Sequence, residues 1–551
     1  MWALVVLNGL LITCWSVLTP TYHAPDEPTH ADAVMRLVEG YGWGHVGRTY
    51  LTRQGEAAVA ASPYGTRGLP RTLTSLPIPE AQSVSRSQRA DWGDLVDPAR
   101  RVGVRSSVQQ MTQHPPGYYY VEAGVIEVFG GDHQQWDRAV GLMRLVSMLM
   151  IAPLPLLAWA TAVRLTDDRR AGIAAAAFPL VIPELTQIAG SVNNDNALTL
   201  TAGLVMVGVA CVLRGDRRLS TAVFLGVSLG FALFSKGLGL VLPPLVLAAY
   251  VTSWAYECRR RPIGEPNDAS RLPFLRTLAP PVALVAILSF AFGGWWWFTN
   301  LLNYGAVQPG DPHFPPGQFL GNDFGQLVDF GTRSMLQRWW GAMGWYELQL
   351  PFWYVYVAGA LTLTCLVLAL VRMGRPPGSR PGLLLMLWPT LASYILVVLP
   401  TLQWYWHTHY YRGLAGRYLF VGLVGVAAVV GVGATRPAAL RRWAPLVILA
   451  GGVVLQAKGA WLAILVWWRP RGGSLQQAWD AMLAWSPWSP HLVKALFLIT
   501  LAAGVAVLVE LIRTGLRPDS DGSETLEPPT AATPLPPDRP GRDAQQASSP
   551  V

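Results

Sequence analysis

Charge is what this sequence has least of. Only 14% of its 551 residues are Asp, Glu, Lys or Arg, while 52% are hydrophobic. Soluble chains carry about a quarter charged residues, so lipid is the expected solvent for much of this one. Cysteine is scarce too. Of the four, Cys14, Cys211 and Cys365 lie in apolar runs and Cys258 in a basic loop. No C-x-x-C pair and no zinc spacing occur, which argues against a structural metal or disulfides. There is no G-x-G-x-x-G after a strand and no G-x-x-x-x-G-K-[ST], so no nucleotide cofactor is expected. The first nineteen residues lack a basic n-region and an A-x-A cleavage site, and read as a retained membrane helix. The net charge of +9 does not imply nucleic acid, because the arginines cluster in short loops between apolar runs. No internal repeat is visible, nor the matched interrupted helices of inverted-repeat transporters.

What is present is a series of apolar runs. A membrane helix needs about 20 apolar residues. Runs near that length occur at 2–19, 139–163, 171–189, 196–213, 219–234, 237–255, 278–299, 352–371, 383–402, 418–434, 445–467 and 491–512. The expectation is an all-α polytopic membrane protein with about 12 transmembrane helices. Residues 1–19 form its first helix and 20–137 a long external loop with amphipathic juxtamembrane helices. The multi-span domain then covers 138–513, with a second external loop at 300–351, and 514–551 is a polar, disordered cytoplasmic tail.

Arginine sets the orientation. Loops 164–170, 214–218, 256–277, 372–382 and 435–443 hold seventeen Lys and Arg, and the alternate set holds seven. The arginine-rich set is therefore cytoplasmic, as are both termini, and the two long loops face outward from the cell membrane. This parity requires that His114–Gly131, apolar but carrying Glu122 and Glu127, lie in the interface with its tyrosines at headgroup level.

Several outward-facing stretches can carry chemistry. Pro25-Asp26-Glu27-Pro28-Thr29-His30 opens an amphipathic helix that Gly40 ends. Pro28 suits the first turn, and Asp26 or Glu27 can cap its free N–H groups. Capping accounts for one carboxylate, not for two plus His30. Ser191-Val192-Asn193-Asn194-Asp195-Asn196 lies on the same face. Asp195 is either a helix cap or a partner to Asp26, as base and metal ligand; Mg²⁺ or Mn²⁺ suits such an oxygen site. Gln113-His114-Pro115-Pro116 is a rigid helix entry, where a histidine is structural more often than functional. Lys236, Arg412 and Arg417 stand at the outer boundary, to pair with a lipid phosphate or to snorkel. Arg144 and Lys458 fall inside apolar runs and need partners. Most of the 24 tryptophans belong to the interfacial belts, and a few can stack on a sugar ring.

An Asp-Glu pair in the first external loop resembles the glycosyltransferase C superfamily, multi-span enzymes that use polyprenyl-phosphate sugars. Still nearer is a bacterial family of predicted membrane proteins related to it, marked by P-D-E-x-x-H, H-P-P-x-Y-Y, N-x-D, S-K and G-R-Y-L-F. Here these are Pro25–His30, His114–Tyr119, Asn193–Asp195, Ser235-Lys236 and Gly416–Phe420, in order across residues 25–420. Gly117 stands where Leu is expected, and the 40–110 insertion has no counterpart in the pattern. The resemblance implies Asp26 as base or metal-facing acid with Glu27 beside it. Asp195 resembles the second acidic position of that superfamily; the substrate-binding candidates are His30, His114, Asp195, Lys236, Arg417 and Tyr418, and Asp26 and Asp195 are the candidate metal ligands. The resemblance also implies an inverting, polyprenyl-phosphate-dependent glycosyltransferase acting on an envelope glycan, lipid or protein acceptor. The competing expectation is a transporter or flippase for lipid-linked sugars or envelope polymer, binding through the same groups.

Overall fold

The computed structural model describes residues 1–63, 83–96, 107–260, 274–310, 324–371, 380–408 and 413–516. Arg412, part of the 40–110 loop and the tail from 517 lie outside the described residues. The chain is an essentially all-α, multi-span membrane protein. Its one sheet among the described residues is a hairpin of two-residue strands, β1 (Ala342–Met343) and β2 (Leu348–Gln349).

Among the described residues nine helical segments are long and apolar enough to cross a bilayer. The first is Trp136–Thr166, made of α5 (Trp136–Ile151) and α6 (Leu154–Thr166). Next come α9 (Asp195–Leu213), Gly237–Cys258, and Thr277–Tyr304. Then follow α15 (Phe352–Val371), Pro381–Tyr405, and Gly416–Ala434, which ends in α17 (Leu423–Ala434). Ala444–Trp468 and α20 (Pro490–Leu516) complete them. A further pair, Arg169–Val181 and α8 (Pro183–Ala189), is bent by 71°, where Pro183 withholds a backbone N–H. Two apolar helices are shorter, α1 (Trp2–Leu18) and α10 (Leu219–Leu233). The expected number of spans is reached only if the bent pair counts as one crossing and both short helices also cross.

Burial ranks these segments. Within their most apolar windows Gly416–Ala434 is 89% buried and α9 is 72% buried, against 11% for α15 and 6% for α20. The first two form the centre of the bundle, and the last two face lipid. Small residues permit the central packing: a Cβ on Gly425, Gly431 or Gly433 would strike the carbonyl oxygen of Met386, Ala171 or Cys365.

At one end of the bundle the segments between α1 and α5 make a core of their own. It contains α2 (Glu27–Val38), α3 (Arg53–Ala61) and α4 (Gly117–Val128), packed through Ala31, Val34, Met35, Trp92, Tyr119 and Ile126. Helix α4, 12 residues long, is too short to span, as the parity argument requires. Its tyrosines do not all sit at headgroup level. Tyr120 is exposed, but Tyr118 and Tyr119 turn inward and are buried, because their hydroxyls find partners there.

Candidate active site

Helix α2 follows α1 after a short turn, with Pro28 in its first turn as expected. Neither carboxylate caps it. Asp26 occupies the N-cap position but has φ 64° and ψ 1°, left-handed geometry, and makes no side-chain cap bond. A non-glycine residue there costs on the order of 1–3 kcal/mol and needs surrounding contacts to hold it. Those contacts come from Arg417, whose Nη2 donates to Asp26 Oδ2 at 2.7 Å.

Glu27 goes the other way. Arg144 donates to it from Nε and Nη2, both at 2.7 Å, and the backbone N–H groups of Tyr22 and Val192 donate at 2.8 and 3.1 Å. Arg144 also donates to the carbonyls of Ser16, Thr19 and Pro20 that end α1. This supplies the partner that Arg144 requires. The Glu27 side chain is 0% exposed, with its carboxylate oxygens consumed by structure.

Asp195 begins α9. Lys236 Nζ donates to its Oδ1 at 2.7 Å, and Arg417 Nε lies 3.3 Å from its Oδ2. Both cations sit by the Tyr418 ring, Lys236 at 4.7 Å and Arg417 at 5.2 Å. Lys236, Asp195, Arg417 and Asp26 thus form one chain of alternating charge. Asp195 and Arg417 are 3% and 4% exposed, but Asp26 keeps 33% of its side chain open. Arg417 Nη1 is buried and has no hydrogen-bond partner among the described residues. Gly416 lets this segment reach α14 (Phe324–Trp340): a Cβ there would overlap the backbone of Arg338 and Trp339.

The histidines line the same region without opening to it. His30 is buried, with Nδ1 2.9 Å from Tyr119 Oη and its ring stacked on that tyrosine. Burial, then Lys236 and other nearby cationic groups, push its pKa well below the ordinary value. His114 is also buried, and desolvation together with Lys236 lowers it to about 3. Both are neutral near pH 7. Sequence reasoning missed Tyr118 and Tyr119. Tyr118 Oη accepts from Asn193 N at 2.9 Å and meets Ser147, which also donates to the buried Glu122. The signal was there: Tyr118, Tyr119, Glu122, Ala123 and Ile126 make one helical face.

The proposed metal pair does not fit. Asp26 and Asp195 both face the Arg417 guanidinium, and the described residues contain no group of three His, Cys, Asp or Glu able to hold an ion. Lys458, on α18 (Ala444–Ala463), is half-buried and makes no ion pair among the described residues.

No curated protein matches the chain. Among solved structures it is similar to ArnT from Cupriavidus metallidurans bound to undecaprenyl phosphate, with TM-score 0.44 and 14% identity over 93% of this chain and 77% of that one. It is also similar to the oligosaccharyltransferase of Archaeoglobus fulgidus in the apo form, with TM-score 0.43 and 12% identity over 83% of this chain and 56% of that one. The same enzyme in complex with Zn and sulfate gives TM-score 0.41 at 12% identity, over 83% of this chain and 53% of that one. The chain spans little more than half of that protein's length. One family description, predicted membrane protein (DUF2142), matches residues 10–426 and so takes in the whole cluster from Asp26 to Tyr418; the chain belongs to that family.

Proposed function

We propose that the protein is an integral membrane glycosyltransferase of the cell membrane, working at its outer face. It transfers a sugar from a polyprenyl-phosphate donor to the hydroxyl of an envelope glycan, lipid or protein acceptor. One observation carries the reading: a partly open carboxylate, Asp26, is paired with the buried Arg417, which has an unused donor and is linked through Asp195 to a second buried cation, Lys236. An acceptor hydroxyl is a poor nucleophile and must lose its proton as it attacks the anomeric carbon; Asp26 takes that proton. As the new C–O bond forms, the bond from the anomeric carbon to phosphate oxygen breaks, and the electron pair leaves on polyprenyl phosphate. Arg417 Nη1 and Lys236 offset the charge that develops there. A single displacement inverts the anomeric centre. Asp195 holds the two cations apart and oriented, and Glu27, His30 and His114 hold the walls.

The test supplies purified protein with radiolabelled polyprenyl-phosphate sugars and envelope acceptors. Asp26→Asn is the informative variant, because asparagine tolerates left-handed backbone geometry and leaves the fold undisturbed. Transfer is expected to fall by about 10²–10⁴-fold in a variant that still unfolds in one cooperative transition. Wild-type rates in a well-folded Asp26→Asn protein would sink the base assignment.

A further inference from the structure

The outer face holds a second group of polar side chains that the transfer step leaves unused. The β1–β2 hairpin lies over the first turn of α8, where Ala342 N donates to Glu184 Oε2 at 3.1 Å. Three residues on, along the same helical face, Gln187 is 0% exposed, and neither amide atom has a hydrogen-bond partner among the described residues. In the turn of the hairpin Tyr346 has φ 72° and lies under the Arg338 guanidinium at 3.9 Å. Beside it Glu347 accepts from Trp467 Nε1 at 2.9 Å, while its Oε2 is buried with no hydrogen-bond partner among the described residues. Trp467 meets the His23 ring edge-on at 6.2 Å, three residues before Asp26. The group therefore adjoins the Asp26–Arg417 cluster.

Glu347 lies within electrostatic reach of Glu184, which is one helical turn from Gln187; buried polar atoms are almost always hydrogen-bonded, so these three orphan atoms imply missing partners. The donor set indicates its chemistry. An amide gives a donor and an acceptor, and burial pushes Glu347 up to about 7, so its carboxyl also both donates and accepts. Trp467 and Tyr346 add flat apolar faces. A hydroxyl-bearing ring with an apolar C–H face meets all of these demands.

We propose that Gln187 and Glu347, walled by Trp467 and Tyr346, form the subsite for the sugar of the lipid-linked donor, while its phosphate rests at Lys236 and Arg417. This rests on the reading of the cluster as a phosphate-binding transferase site. The experiment measures binding to the full-length protein in nanodiscs. Its probes are undecaprenyl phosphate and a panel of undecaprenyl-phosphate-linked glucose, mannose, galactose and arabinose. At least one sugar-bearing lipid is expected to bind about tenfold more tightly than undecaprenyl phosphate. Gln187→Ala and Glu347→Ala each erase that excess and leave undecaprenyl phosphate binding unchanged. The subsite is overturned if no panel member exceeds undecaprenyl phosphate, if the excess survives both variants as a merely hydrated pocket would allow, or if both variants weaken undecaprenyl phosphate equally. Failure of the underlying reading is separate: undecaprenyl phosphate would then not bind, or would bind Arg417→Gln as tightly as wild type.

Discussion

Asp26 and Glu27 are neighbours with the same functional group and opposite fates. The left-handed geometry at Asp26 turns its carboxylate toward Arg417 and the open side, and the next residue, already helical, points into the bundle at Arg144. Breaking a buried ion pair by removing one partner leaves a charge unpaired and costs about 3–5 kcal/mol. Glu27→Ala is therefore expected to lower stability by about that amount, read as the melting temperature in detergent. The double variant with Arg144→Ala should lose less than the sum of the two singles. A strictly additive cycle would show that the pair does not act as one unit.

At the scale of elements, the segments between α1 and α5 are fastened to one another and to the bundle at a few polar bolts. Asp32, buried in α2, accepts from Thr52 N and Oγ1 at 2.9 and 2.6 Å and from Gln109 Nε2 at 2.6 Å. This ties two ends of the long loop to the helix that begins at Asp26. Arg89 is the second bolt. It pairs with the buried Asp137 and donates to the carbonyls of Ala484, Trp485 and Ser486. Those carbonyls end α19 (Leu475–Trp485) and lack helical partners. Arg89→Ala is expected to raise hydrogen exchange in residues 83–96 and at the end of α19, while α9 and α17 keep their protection. Unchanged exchange in both segments would show that Arg89 does not hold the loop down.

Across the whole molecule, buried titratable groups cluster above the bundle. Burial lowers His23 and His114 to about 3 and His30 likewise downward, while it raises Asp32, Glu39, Glu122 and Glu347. The two sets oppose each other, so the clean test is a difference. The unfolded chain protonates His114 below the ordinary 6.5, and the native protein only near 3. Its contribution is fully present above pH 6.5 and is lost as pH falls through that window, by up to about 1.4 kcal/mol per pH unit. The melting temperature of wild type minus that of His114→Gln is expected to shrink from pH 7 to pH 4.5. A constant difference would mean that His114 is not held neutral.

Much of this was legible in the sequence. Lipid admits only helices that satisfy their own backbone, so each apolar run had to become a helix, and each matches a helical segment of the structure. The run 196–213 became α9 and 418–434 became the core of Gly416–Ala434. The P-D-E-P-T-H stretch, the N-N-D loop, Ser235-Lys236 and the G-R-Y segment were each visible as polar residues where charge is costly. Capping was misread, because local rules assign a carboxylate before a helix to its free N–H groups and cannot see a guanidinium packed from elsewhere. Glu184, Gln187 and Glu347 were silent, since one polar residue in an apolar run or a loop carries no period.

The sequence by itself determined the solvent, the helices and which short stretches hold unusual charge, because those follow from hydropathy and spacing along one chain. Only the tertiary structure decided that Asp26 stays open while Glu27 is sealed. Arg144 lies 117 residues from Glu27 and Arg417 lies 391 residues from Asp26, and the strength of a charge pair depends on distance and burial in space, not on position in sequence.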